Sequence, residues 1–562
     1  MRTRLTYKDV QSREKEIRQI DKLTKITKHM VSTGWFYPVI LVLLVVIMNG
    51  PALGHTFIAD DWYMLYDQAQ KGFGGKLFGF GGGLVRPVGV VTWQILYYFF
   101  GFNAIPYNFV ALLLQLSNTW LIYSIVSRLS NSKLYGFCAG IIFCTYYLGW
   151  EPTLWLASSL FDVQCTFFML LTFRLFLTLE TSKKAYYQLI LLASTIASFG
   201  LAVFNKETGL LLWPILLFYD LTYWRIAKRR WWQTFVLYGS TLAIIVLFSL
   251  THIVSDSKNA LSETTNFVHL EKVYDHILYQ PEGLYLFPTF PFGLGPIDLL
   301  KHELKFSLWL TPAVLLILYV LISFWQHKQR FGLSSTKANA SFLTTAAIPL
   351  RLLSLGLAWT VFTSLATLPV SYDGLRFFYT PHIGVTFSFT ALLILMIQLI
   401  DSLRLSSRLR RICYAGIAYV VIVLSFAGLV EFVQGNLLYG KSSEFVNRLT
   451  TVAKEQIERG ASDITFVNLP QVIERTPGVG DYAFCLFDET DVKEVISLRL
   501  GFNREHIQVI RTGDFPQLHY FAVGGKIVSS TTIPSTSASQ AVINVVQSST
   551  SEFKLVPVPL IP

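Results

Sequence analysis

Eleven apolar stretches, each about 17–25 residues long, decide what this chain can fold into. They fall near 36–53, 107–126, 135–150, 160–178, 186–203, 208–223, 232–251, 306–325, 352–370, 377–400 and 412–434. About 20 apolar residues in a helix match the roughly 30 Å hydrocarbon core of a bilayer. Lipid offers the backbone no hydrogen-bond partner, so a segment that crosses must satisfy its own N–H and C=O groups, as a helix does. Charged residues make up only 14% of the 562, against about 25% in ordinary soluble domains. So few charges cannot cover a water-facing surface. The expected fold class is therefore mostly α, a polytopic membrane helix bundle of about eleven spans.

A twelfth apolar stretch, 88–100, is shorter and rich in aromatic residues: Trp93, Tyr97, Tyr98, Phe99 and Phe100. Such a helix suits the membrane interface at least as well as a crossing. Charge parity decides between the two. The N-terminal tail carries nine basic residues between Arg2 and Lys28, and basic segments stay in the cytoplasm. With 88–100 lying flat, every strongly basic loop falls on the side of the tail: Arg128/Lys133, Lys183/Lys184, Arg225 to Arg230, Lys328 to Arg351, and Arg404 to Arg411. If 88–100 crossed, all of them would lie opposite it. The expected arrangement has the N-terminus inside and the C-terminus outside.

Three parts follow: a cytoplasmic basic tail (1–33), a membrane domain (34–435) and an extracytoplasmic α/β domain (441–562). The membrane domain has two long outer loops, 54–106 and 252–305; loops of such length are either functional or disordered, and their aromatic, Gly and Pro content argues for order. In the C-terminal part, periodicity predicts helices at 444–458 and 491–498. It predicts strands at 464–467, 483–486, 507–510 and 520–528, followed by a Ser/Thr-rich ending at 529–551. The five cysteines show neither CxxC nor Cys/His spacing, so neither a disulfide framework nor a zinc site is expected. No cleavable signal peptide is read at the N-terminus. The net charge of +11 reflects the inward basic loops rather than a nucleic-acid partner.

The residues suited to chemistry gather on the outer side. The first outer loop opens GHTFIADDWYMLYDQAQ, placing Asp60 and Asp61 just past the first span. Adjacent carboxylates beside a low-dielectric boundary raise one another's pKa unless a cation or hydrogen bonds compensate. One of them could act as a base or bind a metal; equally, the two could form the acidic first turn of a helix. Arg86-Pro87 opens the aromatic stretch, and its guanidinium could take a phosphate in bidentate fashion or sit among headgroups. Glu151 closes one span and Asp162 opens the next. The turn Asn205-Lys206-Glu207-Thr208-Gly209 joins two spans, with Lys206 and Glu207 read either as a surface ion pair or as site residues. A late segment carries Arg376, Tyr379, Pro381 and His382, and His382 suits a helix start better than a metal ligand.

In order, these motifs resemble those of the GT-C-fold glycosyltransferases. The nearest relatives are the dolichyl-phosphate-mannose-type protein mannosyltransferases and the bacterial polyprenyl-phosphate-sugar transferases. The resemblance covers roughly 30–435 and rests on DD (60–61), RP (86–87), an outer acid (Asp162), KE (206–207) and R-x-x-Y-x-P (376–381). It implies that Asp60 and Asp61, with Asp162, are the catalytic acids. It also implies that Arg86, Lys206 and Arg376 bind the donor's lipid phosphate, with Glu151, Glu207 and Tyr379 in support. The implied reaction moves a sugar from a polyprenyl phosphate to an acceptor hydroxyl by a single inverting displacement. The implied partners are the lipid-linked sugar, an acceptor protein, glycan or lipid, and the bilayer. No cofactor follows from this reading, and a divalent metal at the carboxylates stays open. Nothing familiar appears in 252–305, which leaves the acceptor open.

The rival readings are a lipid or glycan flippase or transporter, a non-catalytic scaffold, and a polysaccharide polymerase or ligase of another fold. A transporter calls for ionisable residues near mid-bilayer, whereas here the acids cluster at one face.

Overall fold

Where they are described, the apolar stretches fold as helices. The computed structural model describes residues 35–72, 85–146, 149–223, 231–256, 337–365, 378–403, 405–467, 472–474, 482–484, 489–510, 540–549 and 552–558. The basic tail, the 306–325 stretch, Arg376, Cys485, the expected strand at 520–528 and nearly all of 252–305 lie outside them.

Helix α1 (Phe36–Asn49) tightens into a 3-10 turn, Gly50–Gly54, and an extended segment leads to α2 (Asp60–Lys71). Helix α3 (Pro87–Phe100) starts on a proline, whose missing N–H has no partner to lose in a first turn, and stops at Gly101 with φ of 53°. Helix α4 (Ala104–Ser130) is capped by the Asn103 side chain, which accepts from the Ile105 amide, and ends at the left-handed Asn131. Ser132 caps α5 (Lys133–Thr145). Two short helical turns, Trp150–Leu154 and Leu156–Ser158, pass into a π-helical turn, Ser159–Val163, and then α6 (Gln164–Thr181). After α7 (Ala185–Asn205), a 3-10 turn (Glu207–Leu211) leads into α8 (Leu212–Thr222). The bundle continues with α9 (Trp231–Asp256), α10 (Lys337–Leu365), α11 (Pro381–Ser402) and α12 (Ser407–Glu458).

Among the described residues, eight helical stretches are long and apolar enough to cross a membrane, and each coincides with an expected span. The protein is an integral membrane helix bundle. Two expected spans are shorter than the sequence suggests. The 135–150 stretch breaks when α5 ends at Thr145 and Tyr146 turns extended. The 208–223 stretch begins as a 3-10 turn, leaving α8 only 11 residues. Helix α3 has 14 residues, well short of the roughly 20 that a crossing needs.

The last expected span and the expected helix at 444–458 are one continuous helix, the 52-residue α12. Beyond it, β1 (Asp463–Val467), β2 (Val472–Glu474), β3 (Tyr482–Phe484), α13 (Glu489–Leu500), β4 (Ile507–Ile510), β5 (Gln540–Ser549) and β6 (Glu552–Val558) form a small α/β unit. Its main sheet has the order β4-β1-β5-β6, with β1 parallel to both neighbours and β6 antiparallel to β5. The stretch read as a Ser/Thr-rich ending therefore contributes a strand beside β1, because the β-branched run within Gln540–Ser549 favours a pleated, packed surface.

One hydrophobic core runs from the end of α1 through α2, α3 and the 150–161 turns into the C-terminal half of α12 and on to β1, β4 and α13. A second fills the bundle between α4 and α11. Inside the latter, α10 and α11 touch backbone to backbone: a Cβ on Gly384 would lie 2.3 Å from the Gly356 carbonyl oxygen. Only glycine permits that approach, which brings Tyr379 and Thr380 against α4 and α6.

Candidate active site

The chain between α5 and α6 is the element on which the site is built. The π register of Ser159–Val163 places Asp162 on a widened turn, a local departure often found at functional sites. Ser159 Oγ donates to the Pro152 carbonyl at 2.7 Å, and Ser158 Oγ donates to Asp162 Oδ2 at 3.0 Å. The other Asp162 oxygen forms a buried ion pair with Lys206.

Lys206 reaches Asp162 from the turn after α7. That turn is closed so tightly that a Cβ on Gly209 would sit 2.5 Å from the backbone of Ala202. Asn205 ties it to the π turn by donating from Nδ2 to the Phe161 carbonyl at 2.6 Å. Lys206 and Glu207, adjacent in sequence, take separate partners. Glu207 is held by Arg86 in a two-point contact, Nε to Oε2 at 3.0 Å and Nη2 to Oε1 at 2.5 Å. The Arg86 guanidinium also lies 5.6 Å from the centre of the Phe161 ring. Gly89 permits this arrangement, since a Cβ there would strike Phe161 at 2.2 Å. Arg86, Glu207, Lys206 and Asp162 thus form a quartet whose formal charges cancel.

Burial works against the Glu207 carboxylate, but the Arg86 charge and its hydrogen bonds outweigh it and, with Lys206, hold the group at about 2, below its ordinary 4.5. The folded value lies below the unfolded one, so this stabilisation is complete above about pH 4.5, shrinks below it and is lost as pH falls through about 2. A Glu207→Gln variant is therefore expected to melt below the parent at about pH 6, with the difference closing steadily from about pH 4.5 downward. Thermal melts across that range check this; a difference that does not change with pH would discard the assignment.

The carboxylate pair opens α2. Ala59, fully buried, holds φ of 44° and ψ of −129°, a conformation that costs a residue with a Cβ about 1–3 kcal/mol. The next two residues have different surroundings. Asp61 is buried, and both of its oxygens accept from backbone: Oδ2 from Ile58 N–H at 3.0 Å and Oδ1 from Ala157 N–H at 2.7 Å. Asp60 is only partly buried. Asp61 thus anchors the loop through both oxygens, while Asp60 stands nearer the surface. Trp62 closes the turn from below, donating from Nε1 to the Phe57 carbonyl at 3.0 Å.

Because Ala157 and Ser158 are neighbours, the two halves join. Contacts run without a break from Asp61 through Ala157–Ser158 to Asp162, then to Lys206, Glu207 and Arg86. Glu151 is buried in the first turn of Trp150–Leu154 on the same connection. Tyr379 lies deeper: its hydroxyl donates to Gln115 Oε1 and accepts from Asn118 Nδ2 at 3.2 Å, and Asn118 also donates to the Val163 carbonyl, next to Asp162. Arg376 falls outside the described residues. His382 starts α11, with its ring nitrogens near the Tyr379 and Phe143 carbonyls at 3.1 and 3.2 Å. Gln115 and Asn118 escape the sequence reading. The one available signal is an amide inside the leucine run ALLLQLSN, since polar side chains within a span need a partner. Among the described residues no group of three or more His, Cys, Asp or Glu is placed to hold a metal ion.

No protein-family model matches the chain, and no curated protein matches it in sequence. Among solved structures it is similar to the archaeal oligosaccharyltransferase AglB from Archaeoglobus fulgidus in complex with an inhibitory peptide and a dolichol-phosphate. That match has 11% identity and a TM-score of 0.40, and covers 84% of this chain and 64% of that one. A second oligosaccharyltransferase structure from Archaeoglobus fulgidus, complexed with Zn and sulfate, matches at 11% identity and a TM-score of 0.42, covering 84% and 62%. The chain thus spans less than two thirds of the length of both. ArnT from Cupriavidus metallidurans in the apo state matches at 12% identity and a TM-score of 0.38, covering 86% of each chain.

Proposed function

We propose that this chain is a membrane glycosyltransferase of the GT-C kind, moving a sugar from a polyprenyl phosphate to an acceptor hydroxyl on the extracytoplasmic face. The observation that carries this reading is the unbroken contact path from the Asp60–Asp61 turn to the Asp162, Lys206, Glu207 and Arg86 quartet. It links the turn that carries Asp60 to a carboxylate and two cations at the ends of membrane helices. Asp60 takes the proton of the acceptor hydroxyl. The acceptor oxygen attacks the anomeric carbon, and the bond from that carbon to the phosphate oxygen breaks, its electron pair leaving with the lipid phosphate. A phosphate is a good leaving group, so the chemistry calls for a base and for cations near the developing charge. Arg86 commits two of a guanidinium's five N–H donors to Glu207. With Lys206 and Arg376, it supplies positive charge to the donor phosphate. Asp61 and Asp162 position the base and the lysine, while Glu151, Glu207 and Tyr379 support the shell.

The test offers purified protein a labelled polyprenyl-phosphate sugar in the presence of acceptor-bearing membrane extract. Label should leave the lipid with the parent and not with Asp60→Asn; equal release from both would refute the proposal. Transport of intact donor across liposome bilayers without release would establish the flippase reading instead.

The orientation proposed is N-terminus inside, with α2 outside. Ala69, exposed near the end of α2, provides a probe. In cysteine-free protein, Ala69→Cys should react with a membrane-impermeant thiol reagent added outside intact cells. Reaction only after lysis would reverse the orientation.

A further inference from the structure

Among its described residues the C-terminal α/β unit shows no catalytic constellation of its own, yet it reaches the turn that carries the carboxylate pair. Arg499, in the last turn of α13, extends toward the extended segment before α2. Its Nη2 donates to Thr56 Oγ1 at 2.9 Å, and its Nη1 donates to Asn447 Oδ1 of α12 at 2.7 Å. Its guanidinium carbon lies 4.8 Å from the centre of the Trp62 ring, a cation–π contact. Thr56 is also held from α12, its amide donating to Ser443 Oγ at 3.2 Å. One turn further along α2, Arg504 lies 5.1 Å from the Tyr66 ring centre. Between Thr56 and Trp62 sit the strained Ala59 and both aspartates. A strained backbone persists only where its surroundings over-determine it, and here the C-terminal unit supplies part of those surroundings through Arg499 and Arg504.

We propose that the C-terminal unit positions the carboxylate pair, with Arg499 as the positioning residue that clasps the Thr56–Trp62 turn and so fixes the direction in which Asp60 points. This rests on the glycosyltransferase reading for its kinetic consequence but not for its structural one. Arg499 touches no reacting atom; it acts through Thr56 and Trp62. Lysine cannot replace it, because an ammonium on a flexible stem neither forks to two acceptors nor stacks on an indole as a planar guanidinium does.

The experiment compares the full-length parent with Arg499→Ala, Arg499→Lys and, from the other side of the clasp, Thr56→Val. The first readout is amide hydrogen exchange, which reports local opening. Loss of the Arg499 hydrogen bonds and its cation–π contact should speed exchange in residues 55–66 by about tenfold or more in Arg499→Ala and Arg499→Lys. Thr56→Val should give a smaller effect, and α6 should not change. The second readout is sugar transfer: kcat should fall between about tenfold and 100-fold with the donor KM unchanged, as misplacement of a base does. Unchanged exchange at 55–66, or equally faster exchange in α6, overturns the proposal. So does full activity with a loosened turn, in a protein that Asp60→Asn silences. If Asp60→Asn itself transfers sugar at the parental rate, the assignment of Asp60 as base fails and the exchange data alone decide the clasp.

Discussion

Replacing Asp60 with asparagine is expected to lower sugar transfer by about 10²–10⁴-fold, the usual loss when a positioned general base is removed, while the melting temperature stays near that of the parent. Asp60 is partly exposed, and asparagine keeps its shape. The same change at Asp61 should act on the fold. Both Asp61 oxygens accept from buried backbone amides, at 3.0 and 2.7 Å. An asparagine offers one oxygen and one N–H₂ group, so one of those amides loses its acceptor, at a cost of about 1–3 kcal/mol. Asp61→Asn should therefore melt at a lower temperature, and its activity should fall because the loop moves. Melts and initial rates on the two single variants separate these roles. Full activity in Asp60→Asn removes it as the base, and a parent-like melt in Asp61→Asn removes the anchor.

The buried Asp162–Lys206 pair predicts the largest change in stability. Lys206→Met takes the cation from the Asp162 carboxylate, and Asp162→Leu takes the carboxylate from the Lys206 ammonium; breaking a buried pair from one side typically costs about 3–5 kcal/mol. Replacing both, as Asp162→Leu with Lys206→Met, removes the uncompensated charge and should recover most of that loss, because a well-packed apolar pair is often as stable as a buried ion pair. Transfer should not recover, since the double variant lacks a cation proposed for the donor phosphate. A double variant as unstable as the singles would dissolve the pairing. One that transfers sugar at the parental rate would remove Lys206 from phosphate binding.

Much of this architecture is legible in the chain itself. Lipid imposes length and polarity so strictly that eight spans can be read before any packing is known. The first turn of α2 is legible for a similar reason, since acidic residues favour a helix N-terminus. Pairings across the fold are not. Lys206 and Glu207 look like partners in sequence, but the Lys206 backbone is extended, at φ −157° and ψ 145°, and neighbours along an extended chain point to opposite sides. One goes to Asp162 and the other to Arg86, each far away in sequence. The second acceptor role of Asp61 is equally hidden, because Ala157 lies 96 positions further on. The glycines of α12 hide contacts of another kind: a Cβ on Gly428 would overlap the Thr145 carbonyl and one on Gly435 would strike Trp150. They are sites of close approach within an unbroken helix.

That unbroken helix ties the Thr56–Trp62 turn to the bilayer. At 1.5 Å per residue, the 52 residues of α12 form a rod of about 78 Å, whose apolar part settles at the depth the lipid dictates. Its far part carries Ser443 and Asn447, which grip Thr56 directly and through Arg499. A thicker or thinner membrane that sinks or tilts the rod is therefore expected to shift that turn with it.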